Sequence, residues 1–577
     1  MTRTRLLPPT LLLLAVLWLL PLPPALVMIA GAFLLPFVKE QARTTLVLGL
    51  PLLTLLLIWQ IPDGIVISLQ FLDYQLAPVA GSTVGRLFAT VFAIMAFAGG
   101  LFALRQARLI ELVAAYVYAG SAIGVTFAGD LLTLFVFWEL MALGSTLVIW
   151  SAGTPAAYRA SMRYLLIHLF GGVVLMSGIA AYVLTTGSVT FQAMEPNSLG
   201  TWLILIGFLI NAGAPPLSAW IPDAYPEASP SGTVFLSAFT TKTAVYTLLV
   251  GFPGADILVV VGLYMVFYGI IYALLENDMR RILAYSIVNQ VGFMVTAVGI
   301  GTPMALNGAA AHAFCHIIYK ALLLMSAGSV LFMTHKRKCT DLGGLFQSMP
   351  VTTLCGIVGA LAISSFPFTS GFISKSMTNQ AAANEHMAMA WFLLTAASAG
   401  VFLHAGIKFP WFVFFQKDSG LRPPDPPRNM RTAMWLFAFL CIALGVFPQP
   451  LYAILPYPVN YQPYTMEHLV AQFQLLLFAG LAFFVMLPQM KRTLTISLDF
   501  DWFYRRFGSD IAAEFVFTGQ RMREKFEALL RQEAQRVVRW LFVHHGPAGR
   551  LARTWPTGSM VLWVAVLLGT CLIFYYI

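Results

Sequence analysis

Residues Ala311-His312-Ala313-Phe314-Cys315-His316-Ile317-Ile318-Tyr319-Lys320 lie inside one long apolar segment, 305–333. A run of that length is enough for a helix to cross a bilayer, which takes roughly 20 residues. His312, His316 and Lys320 recur every fourth residue, so a helix sets all three on one face. Protonatable groups in a row at membrane depth are costly unless they carry function. The row therefore predicts part of a proton path. The alternative, polar groups that only bridge helices, suits one buried histidine better than three groups in register.

The composition around this helix points the same way. Of 577 residues, 59% are hydrophobic and 10% charged, against roughly 25% charged in soluble domains. Mean hydropathy is +0.80. Comparable apolar runs recur from 43–60 to 557–577, which predicts an all-α polytopic membrane protein of about sixteen transmembrane helices. The net charge of +10 is explained by loops: Lys39/Arg43, Arg105/Arg108, Arg159, Arg280/Arg281, Lys336-Arg337-Lys338, Lys417 to Arg431 and Lys491/Arg492 fall on one side. The alternate loops hold Asp63, Asp73, Glu195, Asp256, Glu385 and Glu467, with Lys375 almost their only cation. By the positive-inside rule the basic set is cytoplasmic and the C-terminus lies on the outer face. The basic balance thus implies no nucleic-acid partner. Five scattered cysteines show no metal or disulfide spacing, and no nucleotide loop, haem motif or iron–sulfur run is present. No metal or cofactor is expected, so energy must come from an ion gradient or a partner.

Two stretches stand apart from the spans. Residues 61–81 alternate polar and apolar, which predicts a short extramembrane hairpin. Residues 499–550 are polar but carry a helical stripe of Phe515, Met522, Phe526, Leu529, Val537 and Leu541 flanked by arginines. That pattern predicts an amphipathic helix on the membrane surface or along a partner. At the other end, Met1-Thr-Arg-Thr-Arg5 precedes an apolar run that lacks a small-residue cleavage site. Residues 6–38 are then one kinked helix or a hairpin of two.

Further charges fall inside spans. Glu139 and Lys242 are central to theirs, away from any loop, where a charge costs about 2.5–3.5 kcal/mol; a structural ion pair is the alternative for Glu139. Lys408, in His404-Ala-Gly-Ile-Lys408-Phe-Pro410, lies late in a span interrupted by glycine and proline. A second interruption occurs at Asn211-Ala-Gly213-Ala-Pro215-Pro216. Broken helices in both halves of a chain point to a transporter built from inverted repeats.

Several motifs in order resemble one family: Phe135-Val-Phe-Trp-Glu139-Leu, Trp220-Ile-Pro-Asp223-Ala, Lys242, Asp278-Met-Arg-Arg-Ile-Leu-Ala-Tyr285-Ser, His312 to Lys320, and Pro367-Phe-Thr-Ser-Gly371-Phe-Ile-Ser-Lys375. The chain is similar to the antiporter-like subunits of Mrp-type cation/proton antiporters (the D branch in particular), respiratory complex I and membrane-bound hydrogenases. The resemblance implies two inverted five-helix repeats, at 109–252 and 253–430. Around them stand N-terminal helices with the hairpin (1–108), further helices (431–490), a cytoplasmic lateral helix (491–555) and a final span (556–577). It implies a proton path through Glu139, Lys242, His312, His316, Lys320 and Lys408. It places helix breaks at Asn211, Pro215, Pro367, Gly371 and Pro410. It further implies a bacterial inner-membrane location and partners that are other members of an antiporter or respiratory complex, with protons and Na+ as cargo and lipid around it. The alternatives it carries are a proton-conducting subunit of a complex I-like, hydrogenase-like or carbon-uptake assembly, and a partly degenerate scaffold. One departure matters: the family's first broken helix carries a lysine where this chain has Asn211, an amide that hydrogen-bonds, for instance to Glu139, but carries no proton at cellular pH.

Overall fold

The computed structural model describes residues 22–488, 499–547, 549, 551, 553, 554 and 556–577. They fall into two units, Met1–Asp501 and Trp502–Ile577. The expectations for the N-terminal run before residue 22 and for Lys491/Arg492 lie outside the described residues.

The first unit starts with α1 (Pro24–Leu34) and α2 (Glu40–Ile58), followed by strands β1 (Gly64–Phe71) and β2 (Tyr74–Gly81). These strands pair antiparallel as a hairpin. Four long helices follow, α3 (Thr83–Ala103), α4 (Leu109–Phe127), α5 (Leu131–Trp150) and α6 (Pro155–Thr186). Then come shorter pieces, α7 (Leu199–Ala212), α8 (Trp220–Ala224), α9 (Pro230–Leu236) and α10 (Thr240–Gly251). The second half runs α11 (Ile257–Leu275), α12 (Met279–Ile300), α13 (Pro303–Thr334), α14 (Pro350–Ile363), α15 (Ser370–Asn384) and α16 (Ala388–Val401). The unit is completed by α17 (Arg428–Val446), α18 (Gln449–Tyr452) and α19 (Met466–Val485).

Among the described residues, thirteen helices are long and apolar enough to cross a membrane, and three shorter apolar helices accompany them. The chain is a multi-pass membrane protein. Its centre is α12, whose most apolar window is wholly buried, with α9–α10 nearly so. Side-chain caps set where helices begin. Asp130 accepts from the Thr133 amide at 2.7 Å and the Thr133 hydroxyl at 2.6 Å, starting α5. Its other interaction, from the Ala77 amide at 2.8 Å, ties the hairpin to that helix.

Three helices are interrupted within the bundle. Gly213, at φ 79°, ends α7 in a left-handed turn before α8. Residues 237–239 separate α9 from α10, so Lys242 stands near the start of a half-helix rather than in mid-span as the sequence suggests. Between α14 and α15, Ser365 and Phe368 take φ of 57° and 66°. Helix α15 corrects the sequence reading, which places Lys375 in an outer loop. Ser370 to Asn384 is too polar to read as a span, yet Ser370, Ser374, Lys375 and Thr378 all face protein and are buried. The expected break at Pro410 is a second correction. Helix α16 is not severed there but continues in π-helical turns over Phe402–Lys408 and Trp411–Phe415. A proline removes one rung of the ladder and crowds the preceding turn, and a wider turn absorbs both effects.

In the second unit, a π-turn at Phe503–Phe507 leads into α20 (Gly508–His545), and α21 (Thr557–Tyr576) follows. The stripe from Phe515 to Leu541 is exposed along α20. Arg523–Glu527 and Arg536–Glu533 pairs line its surface.

Candidate functional site

Each helix break frees backbone carbonyls that apolar surroundings cannot satisfy. In this fold lysines meet the carbonyls at two of the breaks and at one further helix end. Lys242 Nζ donates to Ser237 O, the carbonyl closing α9, at 2.7 Å, and to Thr241 Oγ1 at 3.1 Å. Lys375 Nζ donates to Ile363 O, at the last residue of α14, at 2.7 Å. Lys408 Nζ donates to Ala273 O, Leu274 O and Glu276 O, at the end of α11, at 3.1, 2.6 and 2.6 Å. The C-terminal end of a helix dipole favours a cation, so each ammonium sits where backbone charge holds it. Lys320 differs, reaching Leu283 O within α12 at 3.3 Å. Among the described residues no carboxylate lies within 4.0 Å of any of these four ammonium groups. Their charge can change without breaking an ion pair.

The histidines of α13 lie among them. Gln290 Oε1, which can only accept, takes hydrogen bonds from Tyr319 at 3.0 Å and from His312 Nε2 at 3.2 Å. His312 Nδ1 is then left to accept from Ser374 at 3.0 Å. His316 is fully buried, with neither ring nitrogen hydrogen-bonded, and is within electrostatic reach of Lys242, Lys320 and Lys375. His404, on the π-turn that carries Lys408, donates from Nδ1 to Gly400 O at 2.9 Å and is in turn within reach of Lys320 and Lys408. The structure therefore brings Lys242, His316, Lys320, His404 and Lys408 near one another, with His312 and Lys375 beside them. Sequence reasoning passed over His404 and Lys375. The first lies one turn before Lys408, a spacing that offered a signal; the second lay in a stretch too polar to suggest a buried helix.

Glu139 and Asn211 stand apart from that group. Glu139 packs against α6, where a Cβ on Gly172 would come within 2.0 Å of its Oε1. That oxygen is buried with no hydrogen-bond partner, and among the described residues Glu139 forms no ion pair. Asn211 does not bond to Glu139. Its Oδ1 accepts from Nδ1 of His168 on α6, at 2.8 Å. The break after α7 also lacks a lysine on its carbonyl; Ile210 O accepts instead from the Trp220 indole at 3.0 Å.

Other motif residues hold one end of the bundle together. Arg163 forms a two-pronged pair with Asp223 at 2.7 and 2.8 Å. Buried Arg280 donates to Pro226 O, Ala228 O and Ser229 O at 2.7, 2.9 and 2.9 Å, and to Thr233. Asp278 caps α12 and pairs with Arg337 at 2.7 Å. Burial pushes the Asp278 carboxyl above its usual range while the Arg337 guanidinium draws it back.

Residues 128–403 match the family described as NADH:quinone oxidoreductase/Mrp antiporter, transmembrane. The chain is 30% identical over 346 residues to one of the Na(+)/H(+) antiporter subunits of Alkalihalophilus pseudofirmus, its D component, a match covering 55% of this chain and 67% of that one. It is 30% identical over 356 residues to a probable K(+)/H(+) antiporter component of Rhizobium meliloti; there the match covers 57% of this chain but only 36% of the relative. A chain in the Mrp complex of Dietzia sp. DQ12-45-1b superposes with a TM-score of 0.74 at 20% identity, over 95% of this chain and 66% of that one. On the strength of these matches, the chain belongs to the NADH:quinone oxidoreductase/Mrp antiporter transmembrane family.

Proposed function

We propose that this chain is the proton-translocating, antiporter-like subunit of a multisubunit monovalent cation (Na+)/proton antiporter in a bacterial inner membrane, with its C-terminus on the outer face. The carrying observation is the set of buried lysines held on helix-end carbonyls with no carboxylate beside them among the described residues. A proton is passed from Lys242 through His316 and Lys320 to His404 and Lys408, with His312 tuned by Gln290 and Tyr319. Glu139 serves the first half. The breaks around Asn211 and Pro215, and around Pro367 and Gly371, fall one in each of two inverted repeats, at 109–252 and 253–430. The partner subunits supply cation binding, and α20 lies along a partner or the membrane surface. Two relatives carry the names of antiporter components, which supports the reading.

The test is cation-driven proton movement in everted vesicles, followed with a ΔpH-sensitive dye after adding NaCl or KCl. Deleting the gene cluster should remove the signal; unchanged exchange sinks the proposal. Within the complex, Gly172→Ala should lower flux at least ~10-fold. The added methyl displaces a flexible carboxylate rather than backbone, so the amount of chain in the membrane should not change. A second reading draws on the quinone-oxidoreductase branch of the matched family, in which the same path serves a redox-driven complex. Subunits bearing iron–sulfur or zinc sites that co-purify with the chain would favour it over antiport.

A further inference from the structure

We propose that His168 is the proton-carrying residue of the first half, standing between Glu139 and Lys242; the inference rests on the proton-conducting reading above. His168 is 1% exposed and has a defined tautomer. Asn211 Oδ1 can only accept, so the ring proton sits on Nδ1 and Nε2 presents a bare lone pair. That Nε2 is buried with no hydrogen-bond partner, as are Asn211 Nδ2 and Glu139 Oε1. Buried polar atoms are otherwise nearly always paired. The three, contributed by α5, α6 and α7, line one stretch of the bundle, because Asn211 and Glu139 approach the adjacent positions Gly171 and Gly172 of α6.

Groups on either side of this ring lead toward Glu139 and toward Lys242. Gly172, whose missing side chain makes room for the Glu139 carboxylate, follows His168 by one helical turn on the same face. One turn the other way, Tyr164 packs on the His168 ring with centroids 4.0 Å apart. The Tyr164 hydroxyl meets Ser145 at 2.9 Å and Thr240 at 3.3 Å, and Thr240 also meets Tyr118 at 2.6 Å. Thr240 opens α10, the half-helix that carries Lys242, and the adjacent Thr241 hydroxyl accepts from Lys242. The other titratable or charged groups near the ring are Tyr225, packed against both Tyr164 and Trp220, and the Arg163–Asp223 pair.

Helix design supports the same role. Helices α6 and α13 are both 32 residues long, both begin with proline after a threonine cap, and both end in a left-handed residue. His168 follows Pro155 by thirteen residues, and His316 follows Pro303 by thirteen. The histidine of the second half's relay helix thus has a positional counterpart in the first. What the first half lacks is a lysine on its helix break, not a group able to hold a proton.

The experiment compares variants of the whole complex in everted vesicles, reading dye-reported proton flux after NaCl or KCl and the amount of chain in the membrane. His168→Gln should keep the chain present and lower flux at least ~10-fold. Adding Asn211→Lys, which places an ammonium where the histidine's partner stood, should restore most of it. If His168→Gln runs at the parental rate while Lys408→Ala is inactive, the assignment is wrong. It is equally wrong if the loss is not recovered by Asn211→Lys, since His168 then only packs. Should His168→Gln fail to accumulate, Tyr164→Phe decides, because it cuts the hydroxyl link and leaves the ring in place. A several-fold loss supports the proposal, and parental flux overturns it. Parental flux in Lys408→Ala as well would instead remove the proton-conducting reading itself.

Discussion

Lys242→Ala lowers cation-driven proton flux at least ~100-fold while the chain still accumulates in the membrane; this is the largest functional effect expected of a single substitution. Lys242 is fully buried, opens the half-helix α10, and sits next to both sides of the pathway. On one side is the Thr240–Tyr164 link, and on the other is His316, which feels its charge. Removing it interrupts either half's route to the centre. The structural cost is smaller, since one carbonyl, Ser237 O, loses its donor, worth about 1–3 kcal/mol when left unsatisfied. Flux in everted vesicles, normalised to immunoblotted chain, separates the two consequences. A variant that keeps most of its flux would show that protons bypass the centre.

Gly371→Ala is expected to act through folding instead. A Cβ at Gly371 would lie 1.8 Å from the Ala362 carbonyl oxygen and 2.9 Å from its carbon. Both belong to backbone, so no side chain can swing aside, and the break between α14 and α15 must open. Overpacking of this kind costs about 1–3 kcal/mol, or more where backbone must move. It also shifts Ile363 O, the carbonyl that holds Lys375. The chain should fall several-fold in membrane abundance and lose thermal stability in detergent, read by size-exclusion chromatography after heating. Gly519→Ala, on α20 with no atom within 4 Å of the added methyl, is the control and should be neutral or slightly stabilising. Equal behaviour of the two variants would contradict the packing argument.

Hydropathy and helical spacing are local properties, and what depends on them was legible from the chain alone. The apolar runs declare a multi-pass membrane protein. The fourfold spacing of His312, His316 and Lys320 put them on one helix, and the structure buries all three. In the stretch from Asn211 to Pro216 the helix ends at Gly213, which takes a left-handed turn ahead of two prolines. Pro410 shows the limit: the same chemistry can be absorbed by wider turns, and only the packed helix reveals which outcome holds.

Tertiary structure decided which groups meet. Lys408 finds its carbonyl 135 residues away at Ala273, and His168 finds Asn211 43 residues away. No periodicity carries such pairings, since they arise from how helices stack. The polar stretch Ser370 to Asn384 is likewise buried only because other helices surround it. The sequence by itself determined that this protein lives in a membrane and holds protonatable groups there. Only the packing decided that its lysines rest on backbone carbonyls, and that a histidine meets Asn211 at the helix break that has no lysine.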